Sequence, residues 1–446
     1  LRKCVLGLFV LLFLVLLVSY AFFAEISSQH KNYDVTGLEK KIVNLQKRLE
    51  SQSLNNNNLL ENVHTHLKKT EQSKPDDYEK VPNYEDKVAQ EQKVADFILG
   101  NIEPVLPVLV IACDRVTVKR CLDNLVKFRP NKETFPIIVS QDCGHEPTYE
   151  VIKKFTDEDP SIIVIKQPDL SEITLPRPKI KFRGYYKIAR HFKFALNYVF
   201  RKLAYDAVII VEDDLDISPD FFEYFLGTYP LLNKDPTLWC ISAWNDNGKK
   251  DVTDMSQPYL LHRTDFFPGL GWLLQKKTWF ELEPKWPPAF FDDWLRNPEN
   301  IGSKACIRPE ISRTYSFGKV GVSKGLFFDV HLRNIQLNKN YVEFTKLNLT
   351  YLLKENYDNA LTSNVYSLPE ATADEVMSGS GHGDVRVMYS TAKSFQKSAK
   401  KLGLMDDFRS GVPRTAYRGI VSCFVRGRRV YLAPDFEWTS YDPTWG

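Results

Sequence analysis

From residue 105 onward, short apolar runs alternate with amphipathic segments. "VLPVLVIACDR", "FPIIVSQDCG", "SIIVIKQP" and "AVIIVEDD" each hold a Val- and Ile-rich core and end in polar residues. Between them, "TVKRCLDNLVKF" and "YYKIARHFKFALNYVF" have helical periodicity. In the second, Ile188, Phe192, Ala195 and Val199 recur at 4-3-4 spacing and mark a buried face. Strands that are apolar throughout and alternate with helices predict a parallel sheet covered on both faces. Ligands of such sheets sit beyond the carboxyl ends of the strands. The sequence places Asp114-Arg115, Asp142 and Glu212-Asp213-Asp214 at that edge. From about residue 333 the pattern changes to a smaller α+β unit. "TAKSFQKSAKKLG" predicts a helix closed by Gly403, and "GIVSCFVRGRRVYLAP" a hairpin turning near Gly427. "SGSGHGD" opens no helix and lacks the lysine of a phosphate-binding loop, so it reads as a mobile loop.

The N-terminal pattern is different. Residues 5–24 ("VLGLFVLLFLVLLVSYAFFA") carry no charge and reach the ~20 apolar residues a membrane helix needs. Arg2 and Lys3 before them favour a cytoplasmic start. A cleaved signal peptide would have a shorter apolar region, about 7–15 residues, ending in small residues. Tyr20, Phe22 and Phe23 stand at that end instead, so the expectation is an uncleaved, single-pass type II anchor. Residues 25–104 are polar, and read as a stem. Within them Leu38, Ile42, Leu45 and Leu49 suit a short coiled coil, and "KPDDYEKVPNYED" a flexible linker.

Composition adds limits. The 446 residues leave room for two domains plus these segments. With 59 basic and 56 acidic residues the net charge is +3, which predicts no nucleic-acid partner. Six cysteines follow the anchor (Cys113, Cys121, Cys143, Cys240, Cys306, Cys423), with no C-x-x-C spacing and no His/Cys cluster. A few disulfides in an oxidising compartment are expected rather than a zinc site. Asn348-Leu349-Thr350 is a glycosylation sequon.

Three acids joined to a buried strand repel one another unless a cation or partner offsets them. A helix opening at Ser218 and Pro219 accounts for Asp220 and Glu223 in its first turn, but not for the triplet. Hard divalent cations such as Mn²⁺ and Mg²⁺ take carboxylate, phosphate and water oxygens, so a metal–nucleotide role is expected. Asp292-Asp293 in "PAFFDDWLR" has two readings. One of the pair caps a helix over "DWLRN", or a carboxylate desolvated by Phe290, Phe291 and Trp294 serves as a general base. Tryptophans 239, 244, 272, 279, 286 and 294 mostly fill core, leaving one or two to stack on sugar faces. His191 falls opposite the apolar face of its helix and reads as exposed. The Arg115 guanidinium matches phosphate. Gly318, Gly321 and Gly325 in "FGKVGVSKGLFF" read either as a lid whose amides meet a phosphate or as a plain loop.

These features carry a resemblance. The anchor, stem and α/β body with its strand-end acids resemble Golgi glycosyltransferases of the GT-A type. "VIACDR", "FPIIVSQDCGHE", "GYYKIARH", "VEDD", "LWCISAWNDNG", "RTDFFPGLGWLL", "RPEISRT" and "YRGIV…FVRGRRVYLAP" resemble the animal N-acetylglucosaminyltransferase I family, from residue 105 to the C-terminus. The expected organisation is a cytoplasmic tail (1–4), a transmembrane signal-anchor (5–24) and a stem (25–104). A GT-A (Rossmann-like) nucleotide-sugar domain (105–318), a closing loop and linker (319–353) and a C-terminal α+β domain (354–446) follow. The resemblance implies a metal-dependent, inverting β1,2-N-acetylglucosaminyltransferase of the Golgi membrane, with its catalytic domain lumenal. Its donor would be UDP-GlcNAc, its acceptor the α1,3-arm mannose of a high-mannose N-glycan, and its cofactor Mn²⁺.

Carried over residue by residue, Asp214 binds the metal and Asp213 contacts the nucleotide sugar, with Glu212 beside it. Arg115, Asp142 and His191 are implied donor-binding residues, the last two facing uracil, and Ser323 belongs to the loop that closes over the diphosphate. Asp292 is the implied catalytic base, and Cys113–Cys143 and Cys240–Cys306 the implied disulfides. Three features depart from the family pattern: Phe291 stands where vertebrate members carry Trp, Cys121 and Cys423 have no assigned partner, and the chain begins with Leu1. Rival expectations are β1,2-GlcNAc transfer to O-linked mannose and a catalytically inactive glycan- or nucleotide-sugar-binding module. Self-association through the stem is an additional one.

Overall fold

The four apolar runs pair as one parallel block in the computed structural model, which describes residues 104–319, 321, 325 and 328–445. Strands β1 (Val108–Ala112), β2 (Ile137–Gln141), β3 (Ile162–Lys166) and β4 (Ala207–Glu212) lie in the order β3-β2-β1-β4. Every residue of β1 and β2 is buried because successive side chains feed two different cores. Val108, Val110 and Ala112 pack on one face with Cys121, Leu122 and Leu125 of helix α1 (Val118–Phe128) and Ile152 of α2 (Glu146–Glu158). Leu109 and Ile111 pack on the other with Phe192, Ala195 and Leu196 of α3 (Arg183–Asn197).

The sheet is not parallel throughout, which corrects the expectation. Its full order is β3-β2-β1-β4-β8-β6-β9-β7, with β6 (Leu238–Ser242), β7 (Leu261–Thr264), β8 (Trp272–Gln275) and β9 (Ala305–Pro309) forming the second half. There β8 runs antiparallel to both β4 and β6, and β7 antiparallel to β9. An apolar run records burial on both faces but not strand direction, which the connections decide. The Cys240–Cys306 disulfide joins neighbours β6 and β9, and Cys113–Cys143 joins the ends of β1 and β2, as the resemblance implied. Cys121 and Cys423 are free and buried.

Immediately after β4 the chain turns at Asp213-Asp214 into β5 (Leu215–Ile217), which pairs antiparallel with β10 (Thr314–Ser316) outside the main sheet. Helix α4 (Phe221–Lys234) then begins with Asp220 at its cap position, not with Ser218 and Pro219. The Asp220 carboxylate is committed elsewhere. It accepts from Ser218 Oγ at 2.6 Å, from Asn338 Nδ2 at 3.0 Å, and from Arg313 Nε and Nη2 at 3.2 and 3.0 Å, all buried.

The C-terminal segment has its own core. Strand β11 (Val385–Tyr389) pairs parallel with β15 (Arg428–Pro434), which pairs antiparallel with β14 (Val421–Val425). Arg426 and Gly427 both take positive φ, 53° and 80°, so the predicted hairpin turns as a type I′ pair. Helices α5 (Lys276–Leu282), α6 (Phe291–Leu295), α7 (Lys354–Ser367), α8 (Ala373–Ser378) and α9 (Ala392–Lys401) complete the described helices used below. Gly403, at φ 80°, follows α9 as predicted. The "SGSGHGD" segment closes α8 rather than opening a helix, and Asp384 in it accepts the Arg429 N–H at 3.0 Å.

The expected tail, anchor, stem, coiled coil and linker lie outside the described residues, as does Ser323. Among the described residues no helix is long and apolar enough to cross a membrane.

Removing one member of a buried ion pair strands the other. Asp220→Ala should therefore destabilise the fold by about 3–5 kcal/mol, measured by urea denaturation; a loss below about 1 kcal/mol would show that Arg313 finds another partner.

Candidate active site

The carboxyl ends of β1 and β4 lie side by side, with Ile111 opposite Glu212. One residue on, the Asp213 N–H donates to the Ile111 carbonyl at 3.1 Å, which fixes the turn. From the loop after β1, Arg115 reaches across. Its Nη1 donates to Asp214 Oδ2 at 2.7 Å and its Nη2 pairs with Asp213 Oδ1. Burial pushes Glu212 up to about 8 and the Asp214 charge adds to it, while Arg115 opposes. Burial likewise raises Asp213 to about 7 against the pull of Arg115. Asp213 is 1% exposed, and its Oδ2 has no hydrogen-bond partner among the described residues.

The glycine-containing segment after β10 closes on this cluster. The Phe317 N–H donates to the Asp214 carbonyl at 2.9 Å, and a Cβ added at Gly318 would fall 1.9 Å from Asp214 Oδ2. Only a hydrogen fits there. Asp216, the remaining acid of "VEDDLD", belongs to a different contact: Arg120 Nε and Asn124 Nδ2 both donate to its Oδ1 at 2.8 Å. The Arg120 guanidinium also lies 4.2 Å over the Phe317 ring. Nothing local in the sequence announces this pairing, since its partners are 96 residues apart.

At the end of β2, the Asp142 N–H donates to the Ala112 carbonyl at 2.9 Å, and the Cys113–Cys143 disulfide joins the same two loops. His191 is buried, 3% exposed, not exposed as its spacing suggested. Helix α3 buries Ala189 and His191 as well as Phe192 and Ala195 of the apolar stripe, so its covered face is wider than the carbon-rich positions mark. His191 Nε2 lies 2.8 Å from Ser140 Oγ of β2. Burial lowers the imidazole to about 4 although the Asp142 charge favours protonation, so the ring is neutral at pH 7.

Asp292 and Asp293 lie in the first turn of α6, and neither caps it. The cap position is Phe290, in the left-handed region at φ 53°. Arg296 Nη1 holds both acids, Asp292 Oδ2 at 3.0 Å and Asp293 Oδ1 at 2.9 Å, and Arg409 Nε reaches Asp293 at 3.3 Å. The aromatic flanks face inward rather than over the carboxylate. Phe291 stacks on Trp286 at 5.2 Å and packs on Phe192 at 4.3 Å, and Phe290 stacks on Tyr185 at 4.6 Å. The Asp292 side chain is accordingly 45% exposed, which corrects the expected desolvation. Its charge is still felt at Glu212, one of the forces raising that residue. Trp239, Trp244, Trp272 and Trp279 are core, while Trp286 and Trp294 are half-buried beside Asp292.

Among the described residues no group of three or more His, Cys, Asp or Glu side chains is placed to hold a metal ion. The strand-end acids nonetheless fit a hard cation completed by ligand and water oxygens. They offer carboxylate donors only, one buried oxygen without a partner, and a wall at Gly318 with no side chain.

The profile of the GNT-I family matches residues 3–445. An alpha-1,3-mannosyl-glycoprotein 2-beta-N-acetylglucosaminyltransferase of Arabidopsis thaliana is 38% identical over 352 residues, 78% of each chain. Among solved structures, a mannosyltransferase from Pyrobaculum calidifontis, in complex with GDP-Man and Mn²⁺, is similar over 41% of this chain and 47% of its own. The identity there is 15% and the TM-score 0.29, too slight a likeness to build on.

His191 supplies a pH test. Its folded value near 4 lies below the ordinary 6.5, so between the two the unfolded chain binds a proton the folded one refuses. Stability then falls as pH drops from 6.5 toward 4. Buried His262, also near 4, acts in the same sense. His191→Gln should reduce the proton uptake on unfolding near pH 5 by about one, read from urea midpoints across pH 4.5–7; an unchanged slope would mean that His191 ionises within the fold.

Proposed function

The chain belongs to the GNT-I family, and from that premise we infer that it is an N-acetylglucosaminyltransferase adding GlcNAc in β1,2 linkage to the α1,3-arm mannose of N-glycans. The observation that carries the site assignment is the Arg115 bridge to Asp213 and Asp214, at the sheet edge shared with Asp142 and His191.

In this reading residues 105–318 form a GT-A nucleotide-sugar domain, 319–353 a closing loop and linker, and 354–446 the C-terminal α+β domain. UDP-GlcNAc lies along the carboxyl edge of the parallel block. Asp142 and neutral His191 meet the uracil. Ser140, within hydrogen-bond distance of Nε2, orients the imidazole ring. Arg115 turns its guanidinium to the diphosphate, and Ser323 belongs to the loop that closes over it. Asp214, with Asp213 beside it, would hold a divalent cation, Mn²⁺ in this reading, which would offset the charge developing on the departing diphosphate.

The Asp292 carboxylate takes the proton of the acceptor 2-hydroxyl as that oxygen attacks the anomeric carbon opposite the diphosphate. The new C1–O bond forms as the C1–O bond to the β-phosphate breaks, the electron pair leaves with UDP, and the anomeric centre inverts. Arg296 fixes the direction of the base. Because the carboxylate is half exposed, the arriving acceptor supplies its desolvation. High-mannose acceptors, Man5 above all, suit a reaction that opens hybrid and complex glycan synthesis. The uncharged run at 5–24 and the two disulfides support a type II anchor in the Golgi membrane with the body lumenal.

The test uses the full-length chain in detergent with UDP-GlcNAc, Mn²⁺ and a five-mannose N-glycan, read by mass spectrometry. One added N-acetylhexosamine is expected, with kcat reduced about 10²–10⁴-fold in Asp292→Asn while donor binding persists. Donor binding without any transfer would favour the inactive binding module, and transfer only to O-mannosyl peptides the alternative acceptor.

A further inference from the structure

Arg308 lies on β9, directly opposite His262 of the edge strand β7. It is 2% exposed. Among the described residues it makes no ion pair: Nη1 donates only to the adjoining Pro309 carbonyl at 3.3 Å, and Nε has no hydrogen-bond partner. An unpaired guanidinium in a fold's interior is costly, and burial correspondingly weakens its hold on its proton.

The acid whose charge favours Arg308 most, Glu310, is already used. Glu310 receives His262 Nε2 on Oε2 at 2.7 Å, and Arg429 Nη1 and the Asp254 N–H on Oε1 at 3.0 and 2.8 Å. Arg263 is similarly spent on Asp235 at 2.7 Å.

Arg308 lines a cavity of about 210 Å³ between the β7–β9 edge, helix α7 and the β14–β15 hairpin. Arg263, Arg308, Arg429 and His262 all line it, and none of its described lining residues is acidic. Ser422, Tyr431 and Asn364 line the same space. Arg429 Nη2, like Arg308 Nε, is buried without a hydrogen bond, although it stands 4.0 Å from Asp254 Oδ2. The volume admits a polyatomic ion, and forked guanidinium donors together with hydroxyls match tetrahedral oxyanions better than a single-atom halide.

We propose that this cavity binds a small oxyanion of the phosphate class, held by Arg308 and Arg429, which ties the large sheet to the C-terminal sheet. The site is separate from the strand-end acids and has no part in glycosyl transfer. Its ligand acts as a structural bridge that completes the charge balance of the fold.

Inorganic phosphate is the probe. The full-length chain is titrated with it by calorimetry and thermal unfolding, against sodium chloride at matched ionic strength. Saturable one-to-one binding is expected, with a rise in Tm that chloride does not reproduce. Arg308→Met should bind phosphate at least tenfold more weakly, and in phosphate-free buffer should melt no lower than the parent, since it removes an uncompensated charge. Hydrogen exchange in the parent chain should slow with phosphate at residues 357–364 and 420–431. No phosphate-specific rise in Tm, or binding undiminished in Arg308→Met, would overturn the proposal. If that variant does not fold, the exchange pattern decides: protection confined to residues 113–115 and 213–216 would place the ion at the strand-end acids and overturn it as well.

Discussion

Repulsion among Glu212, Asp213 and Asp214 is the constraint to which the rest of the molecule is arranged. The acids close a strand whose other positions must be apolar because both faces are covered. Arg115 offsets them, but only from the loop after β1, and only while Ile111 stands opposite Glu212. A slip of one residue would exchange the two cores along β1 and carry the guanidinium away from the carboxylates. Packing register and site electrostatics therefore enforce one another. Even with Arg115 in place, burial and the neighbouring acids make Glu212 and Asp213 hold their protons more tightly than ordinary carboxyls.

The segment before the C-terminal hairpin is a working part of this arrangement. Arg414 reaches back to Asp246 at 2.6 Å while also pairing with Asp407, and Asn247 Nδ2 donates to Thr415 Oγ1 at 3.1 Å. Arg409 extends from the same region to Asp293, beside Asp292. The residue assigned as base thus stands on a short helix steadied from both sides, by Arg296 of its own turn and by the C-terminal segment.

Much of the architecture was legible along the chain, for a physical reason. Strands covered on both faces lose their polar alternation, so Val108–Ala112 and Ala207–Glu212 announced themselves, as did the glycines at 403 and 427, where a positive φ is required. Strand direction was not legible in β8, because burial composition is the same either way. His191 was misjudged because periodicity registers apolar side chains, and a neutral imidazole against Ser140 is buried without being apolar. The pairs Arg120–Asp216 and Arg313–Asp220 join residues 96 and 93 positions apart and leave no local trace. For Asp292 the residues alone left capping and catalysis open. The left-handed Phe290 removes the first reading, and the second rests on the family.

The Cys113–Cys143 bridge spans the two loops that carry Arg115 and Asp142. In the reading given above, one loop grips the diphosphate and the other the base. A covalent strut between two grips fixes their separation, so the edge acts as a ruler. In that reading a ligand is selected by the span from nucleobase to phosphate, before the sugar at the far end is inspected at all.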